Sequence, residues 1–480
     1  MSFFDAVPSA PRIRPALNVG GVIDIVTGSY HIGKHGESIL NGGMAAVNSV
    51  AGPGNTFKSE LLNHLTFTPL ARYGCAKELF YDSENSMTFD RLNRAAHIHP
   101  ALADLDVSSP TNSRFRMTQS ADMLGDVFFE KIKDAASIRR KIKNKLQVET
   151  PFVDTDTGEY ITMIEPTLIA IDSLSEWKAT SVQEKLVDKN AVGESGANTQ
   201  FMKDGAAKTQ MITQLPNLAG QGGLYFFMVA HVGMPIVMDQ YAPVAAKLTH
   251  ARAGTKTKGV PEKFDFINSN LFEIYNAKVL YNSSQDKTAK YPKGSADREI
   301  GTPDLTAVYM VNTRNKGGPS GVRFEMLVSQ SEGYQATLTE FHFVKTSDNY
   351  GVVGNNVSYA MALRPDVKLG RTTVRTKIDE DYRLCRAIEI TAQMKMMENI
   401  WRGIDPELHI SPEALYEKLK DKYDWDILLN TRGYWVFVGD EDKELPFLST
   451  MDLLNMAAGT YHPWWYDGAV KAKDSKGSSK

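Results

Sequence analysis

Eight consecutive residues, Gly52-Pro53-Gly54-Asn55-Thr56-Phe57-Lys58-Ser59, combine glycines, a lysine and a hydroxyl at a spacing suited to gripping phosphate. Backbone N–H groups of such a loop wrap phosphate oxygens. Lys58 would reach the β- and γ-phosphates and Ser59 would hold Mg²⁺. Phe57 departs from the pattern, standing where the common motif has glycine. Taken alone, the octapeptide also fits an incidental glycine turn. Two carboxylates complete a constellation for hydrolysing a nucleoside triphosphate. Asp172 closes the apolar run Thr167–Ile171 and precedes Ser173, as expected of a carboxylate that orients a Mg²⁺-bound water; a turn cap is the plain alternative. Glu84, in Tyr81-Asp82-Ser83-Glu84, is expected to be the general base, although a surface glutamate is the commoner fate of such a residue.

These residues need strands that end together. The small apolar run from Met44 reads as a buried strand stopping at Gly52-Pro53-Gly54, and Leu61, Leu62 and Leu65 continue at helical spacing. Further apolar runs occur at 78–81, 167–171, 224–230 and 307–311, most of them separated by long polar or helical stretches. This alternation predicts an α/β core with a mainly parallel sheet and crossover helices on both faces. The runs end in Asp82, Asp172, His231 and Asn312, which should converge beyond the carboxyl ends of the strands. Residues 146–166 read as a hairpin insertion around Val153–Tyr160. The expected organisation is an arm over 1–36, the ATPase core over 37–352, and a smaller α+β domain with a disordered tail over 353–480. A hairpin is expected from Gly433–Phe437 to Pro446-Phe447, and the clustered tryptophans read as core.

At 480 residues the chain exceeds what one core usually organises. Its 54 Lys and Arg against 57 Asp and Glu give a net charge of −3, which excludes a global basic field, so any polyanion site must be local. Two distant cysteines, Cys75 and Cys385, argue against a disulfide framework or a zinc site. The start lacks a basic and apolar leader and no run has the length of a membrane span, so a cytoplasmic protein is expected.

The order Gly-Pro-Gly-Asn-Thr-Phe-Lys-Ser, Phe-Tyr-Asp-Ser-Glu, Ile-Asp-Ser and Val-Ala-His resembles the RecA-type strand-exchange recombinases over about residues 40–345. Phe57, with Phe80–Glu84, looks most like their bacteriophage UvsX-type branch. The resemblance implies a RecA-like P-loop ATPase using ATP and Mg²⁺, assembled as a filament on single-stranded DNA and then pairing it with duplex DNA. It implies that His231, where bacterial members carry glutamine, senses the γ-phosphate; a histidine bonded inside the sheet edge is the alternative. It also implies that Arg314 and Lys316, in Arg314-Asn315-Lys316, reach the ATP of a neighbouring subunit, against the plainer reading of two solvated charges.

Two loops would meet DNA in such a protein. Gly193 and Glu194 lie in a Gly- and Ser-rich stretch similar to the first DNA loop of the family. The stretch from Val232 to about Asp265 carries Lys247, Arg252, Lys256, Lys258 and Lys263, cations that can track a phosphate backbone without reading sequence; simple solvation is the alternative. Arg139–Lys145 reads as an exposed basic helix face. A recombination mediator or a single-strand-binding protein would be natural partners. The same nucleotide residues also suit a hexameric, helicase-like RecA-fold motor.

Overall fold

The computed structural model describes residues 12–180, 197–233, 248–252, 255–283, 285, 287–294, 303–401 and 403–467, with backbone alone for 197–203. An outlying hairpin joins β1 (Ser29–Ile32) to β2 (Ser38–Asn41). The strands that follow are β3 (Val47–Gly52), β4 (Lys77–Asp82), β5 (Phe115–Gln119), β6 (Gln147–Val153), β7 (Tyr160–Ile164) and β8 (Thr167–Asp172). Next come β9 (Leu224–Gly233), β10 (Lys256–Lys258), β11 (Asn270–Val279), β12 (Leu305–Asn315), β13 (Arg323–Ser329) and β14 (Gly333–Tyr334). One large sheet has the order β14-β13-β12-β11-β3-β9-β8-β4-β5, with β10 paired to the end of β9. From β11 to β5 every pairing is parallel, whereas β12, β13 and β14 add on antiparallel. The hairpin expected over 146–166 is present as β6 and β7.

Period-two alternation explains why the central strands read as unbroken apolar runs. In β9, Leu224, Phe226, Met228 and Ala230 enter one buried cluster, while Tyr225, Phe227 and Val229 enter another on the opposite face. β8 divides likewise, Ile169 and Ile171 against Leu168 and Ala170. The first face is covered by helices Gly125–Lys141, through Phe128, Ile132 and Ala136, and Ala197–Gly222, through Met211, Ile212 and Leu215. The second is covered by helix Lys58–Arg72 and, over β13, by helix Ala336–Thr346, on which helix Tyr382–Ile400 packs.

Three expectations are corrected. Asn312 does not join the polar strand ends: β12 runs antiparallel, and its Asn312 is buried in mid-strand opposite Phe272. The span from 433 to 447 forms no hairpin; its only strand-like contact is one parallel bridge between Arg432 and Phe447. Trp435 and Phe437 instead turn into the core, where the Trp435 indole donates to the Ala16 carbonyl at 3.2 Å. Arg139 is not simply solvated, for it donates to the Gly222 and Glu165 carbonyls and ties its helix to the sheet. The remaining C-terminal tryptophans are mostly anchored: Trp425 donates to Leu363 and Trp465 to Phe447, while Trp464 stays exposed.

Residues 12–44 and the C-terminal region share the second core cluster. Leu17, Val22, Ile25 and Val26 belong with Leu384, Ile388, Trp435 and Leu453 to one buried group. Within the segment expected as an arm, Gly21–Thr27 is a fully buried helix. Among the described residues no helix is long and apolar enough to cross a membrane.

Candidate functional site

Strand β3 is buried along its whole length and delivers Gly52 to the edge where β9 delivers His231, its partner in register. On the other side of β9, Asp172 at the end of β8 pairs in register with Asp82 at the end of β4. Parallel pairing therefore brings four sequence-distant chain segments to one edge. A β-rich core with chemistry at its carboxyl ends is the usual arrangement for an open α/β sheet.

The glycine loop leaves β3 and starts helix Lys58–Arg72 directly. Asn55 and Phe57 both adopt left-handed backbone, φ 57° and 60°. That conformation costs a residue with a Cβ roughly 1–2 kcal/mol, which accounts for glycine being the usual occupant of position 57. The Phe57 ring packs against the core. At Gly52 a Cβ would lie 3.0 Å from the Cβ of Ile274, so β11 crowds the loop from behind, whereas at Gly54 it would meet no atom within 4 Å. The loop is thus backed by packing and open at its tip.

The side chains converge. Lys58 is buried, with 6% exposure, and its amine donates to the Pro53 carbonyl at 2.6 Å; the Thr56 hydroxyl donates to the same carbonyl at 2.8 Å. Burial pulls the Lys58 amine below its ordinary range, and Asp172 and Glu84 pull it back up. Ser59 donates to Asp172 at 2.5 Å, joining the first turn of the helix to the end of β8. Burial pushes the Asp172 carboxyl up to about 6; the Ser59 hydrogen bond opposes this and the charges of Glu84 and Asp82 add to it. A buried carboxylate with two acidic neighbours is a place that a cation would stabilise.

Glu84 sits above this pair. It accepts from the Ser173 hydroxyl at 2.7 Å, and its Oε1 lies 3.0 Å from His231 Nε2. The His231 hydrogen bond is the largest influence holding the Glu84 carboxyl below its usual range; partial burial opposes it and Ser173 assists. Asp82, the expected polar end of β4, organises the turn. It accepts from the backbone N–H groups of Glu84, at 3.1 Å, and Met87, at 2.8 Å, and from the Gln119 amide. Ser83 locks the same turn to β8, accepting from Ser173 N–H at 2.8 Å and donating to its carbonyl at 2.6 Å. Beyond Glu84 opens a cleft of about 480 Å³ lined by Ser83, Asn85, Ser120, Glu176, Lys178 and His231 among others. Glu176 and Lys178 carried no motif in the sequence.

Other expected residues lie elsewhere. Arg314 and Lys316 end β12, opposite the amino end of β11 and hence of β3: Asn315 pairs with Asn270, which pairs with Asn48. Four residues of strand, about 13 Å at the usual rise, separate that edge from Gly52. Arg314 donates to the Asn268 carbonyl at 3.0 Å. The chain therefore does not bring this pair to its own glycine loop. Arg252, Lys256, Lys258 and Lys263 are all exposed, and β10 lays Lys256 and Lys258 antiparallel to β9, opposite Gly233 and His231. Gly193 and Glu194 lie outside the described residues, as does Lys247.

The two cysteines are free, and burial pushes both thiols up to about 12. Among the described residues no group of three or more His, Cys, Asp or Glu converges as a metal cluster. No protein-family model matches the chain, and no curated protein sequence matches it.

Proposed function

We propose that the chain is a RecA-like ATPase that binds single-stranded DNA and promotes homologous pairing and strand exchange as a filament. The observation that carries this reading is the convergence of Lys58, Ser59, Asp172, Glu84 and His231 at one sheet edge, with Ser59 on Asp172 at 2.5 Å and Glu84 against His231 at 3.0 Å. Backbone N–H groups of 54–57 and the Lys58 amine would hold the phosphates of ATP, and Gly54 leaves room for them. Ser59 and Asp172 fit Mg²⁺, which supplies neutralisation of phosphate charge; hard oxygen donors from few side chains suit this ion. Glu84, kept ionised by His231 and Ser173, accepts the proton of the attacking water. His231 links that base to β9, which pairs with the strand bearing Lys256 and Lys258, so phosphate and DNA would act on facing residues of two paired strands.

The resemblance to strand-exchange recombinases supports the pairing activity, and the exposed cations of 252–263 support a phosphate-tracking site. The remote Arg314 and Lys316 fit a role across a subunit boundary, where they would stabilise charge on a neighbour's γ-phosphate. Electron microscopy of the protein with an ATP analogue and single-stranded DNA tests the assembly. Helical filaments are expected, and joint molecules should form from homologous DNA. Closed rings that unwind duplex DNA would instead favour the hexameric motor.

A further inference from the structure

The cationic segment Arg252–Gly259 is fastened at two points. Glu273, on β11 opposite Ala51 of β3, accepts from Arg252 N–H at 3.3 Å and from the Thr255 hydroxyl at 3.4 Å. On the other side stands Ser175, three residues beyond Asp172. Its hydroxyl donates to the Lys258 carbonyl at 2.8 Å and accepts from His231 N–H at 2.9 Å. One side chain thus joins the segment leaving Asp172, the strand end bearing His231 and the strand bearing Lys256 and Lys258.

Two further residues make that junction rigid. Lys208 is buried, with 2% exposure, and donates to the carbonyls of Ser175 at 3.1 Å and Gly259 at 2.8 Å; Asp204 lies 3.2 Å from its amine. Burial draws its amine below the ordinary range, and the Asp204 carboxylate opposes this. Gly259 has φ +66°, and a Cβ there would fall 2.6 Å from the Ser175 carbonyl oxygen. Only glycine admits that approach.

We propose that Ser175, held by Lys208 and Gly259, is the positioning residue that makes nucleotide binding at the glycine loop and binding of a single-stranded phosphate backbone at Lys256 and Lys258 cooperative. The inference rests on the reading of the site as a DNA-binding ATPase. Its physical basis is that Asp172 and His231 face the nucleotide while Lys258 faces solvent, and the Ser175 hydroxyl bonds directly to both strands. A displacement of the 172–175 segment on ligand binding would move the Lys258 backbone with it. Coupling of this kind is reciprocal: each ligand tightens the other by the same factor.

The test measures binding of a labelled oligo-dT to the full chain by fluorescence anisotropy at fixed salt, with and without a non-hydrolysable ATP analogue. Analogue affinity alone is measured in parallel. In the wild type the analogue should tighten oligonucleotide binding by about 10-fold or more, within the usual range of allosteric coupling. Ser175→Ala should reduce that factor to about 2-fold while keeping analogue affinity within about 3-fold, and Ser175→Thr, which retains the hydroxyl, should restore it. Gly259→Ala should act like Ser175→Ala. An unchanged coupling factor in Ser175→Ala overturns the inference, as does a parallel loss of analogue affinity that Ser175→Thr fails to restore. A wild type that binds the analogue but no oligonucleotide removes the DNA reading itself and the inference with it.

Discussion

At the scale of single residues, Phe57 shows how an apparent defect and a backbone requirement meet. Its position demands left-handed backbone, which an unbranched Cβ tolerates at moderate cost and a β-branched one does not. Phe57→Gly is therefore expected to keep nucleotide affinity within a few-fold, and Phe57→Ile to weaken it by about 10-fold, measured by titration with a fluorescent ATP analogue. Under the proposed function, His231 would act on chemistry through Glu84, which it contacts at 3.0 Å. Because its hydrogen bond is the main cause of the lowered Glu84 carboxyl, His231→Ala should raise that pKa. The acid limb of kcat/KM, which reports the free enzyme, would then move to higher pH. An unmoved limb would separate Glu84 from the role of base. Lys58, Ser59, Glu84 and Asp172 were legible in sequence because each is tied to a strand end by order alone. Asp82 was legible as a strand end but not as the organiser of the turn after it, and Ser83 and Ser175 were not legible, since their roles are hydrogen bonds to segments that only the sheet brings near.

At the scale of elements, strands with two buried faces announced themselves and the others did not. β11 lies beside β3 yet went unread, because Glu273, Asn276 and Lys278 break its apolar pattern. The direction of β12 was equally invisible, as an apolar run carries no sign of parallel or antiparallel pairing, and Asn312 was misplaced for that reason. The 433–447 hairpin failed because Trp435 and Phe437 gain more from burial in the core than from a ladder at the surface. β4 carries a testable anomaly. Glu78 is buried, neither carboxyl oxygen makes a regular hydrogen bond, and the Thr66 hydroxyl only partly offsets the desolvation that pushes the carboxyl up to about 8. From pH 4.5 to about 8 the folded chain keeps a proton that the unfolded chain releases. Stability contributed by this group must fall as pH rises through that window, at up to about 1.4 kcal/mol per pH unit, and level off above it. Glu78→Gln should flatten that slope in urea denaturation at a series of pH values; an unchanged slope would mean that Glu78 is already ionised.

At the scale of the whole molecule, residues 16–44 and 384–457 share the core against which the sheet packs. Asp452 accepts from Ser38 N–H at 2.7 Å, and Asn18 accepts from Trp435 N–H at 3.3 Å, so segments more than 400 residues apart are stitched together. Sequence composition gave no hint of this joint core, since the apolar residues at 16–26 and 384–457 resemble those of any separate unit. Gly52 and His231 lie at one edge of the sheet and Arg314 with Lys316 at the other, the arrangement that the proposed function needs if one chain is to hold ATP and offer its cations to a neighbour. The central claim is that this edge hydrolyses ATP in response to single-stranded DNA. The direct measurement is the steady-state rate of phosphate release with Mg²⁺ and ATP, with and without oligo-dT, for the wild type and Glu84→Gln. The expected result is a rate raised at least several-fold by DNA in the wild type and lowered at least about 100-fold by Glu84→Gln. A wild type that releases no phosphate, or releases it equally with and without DNA, would contradict the account.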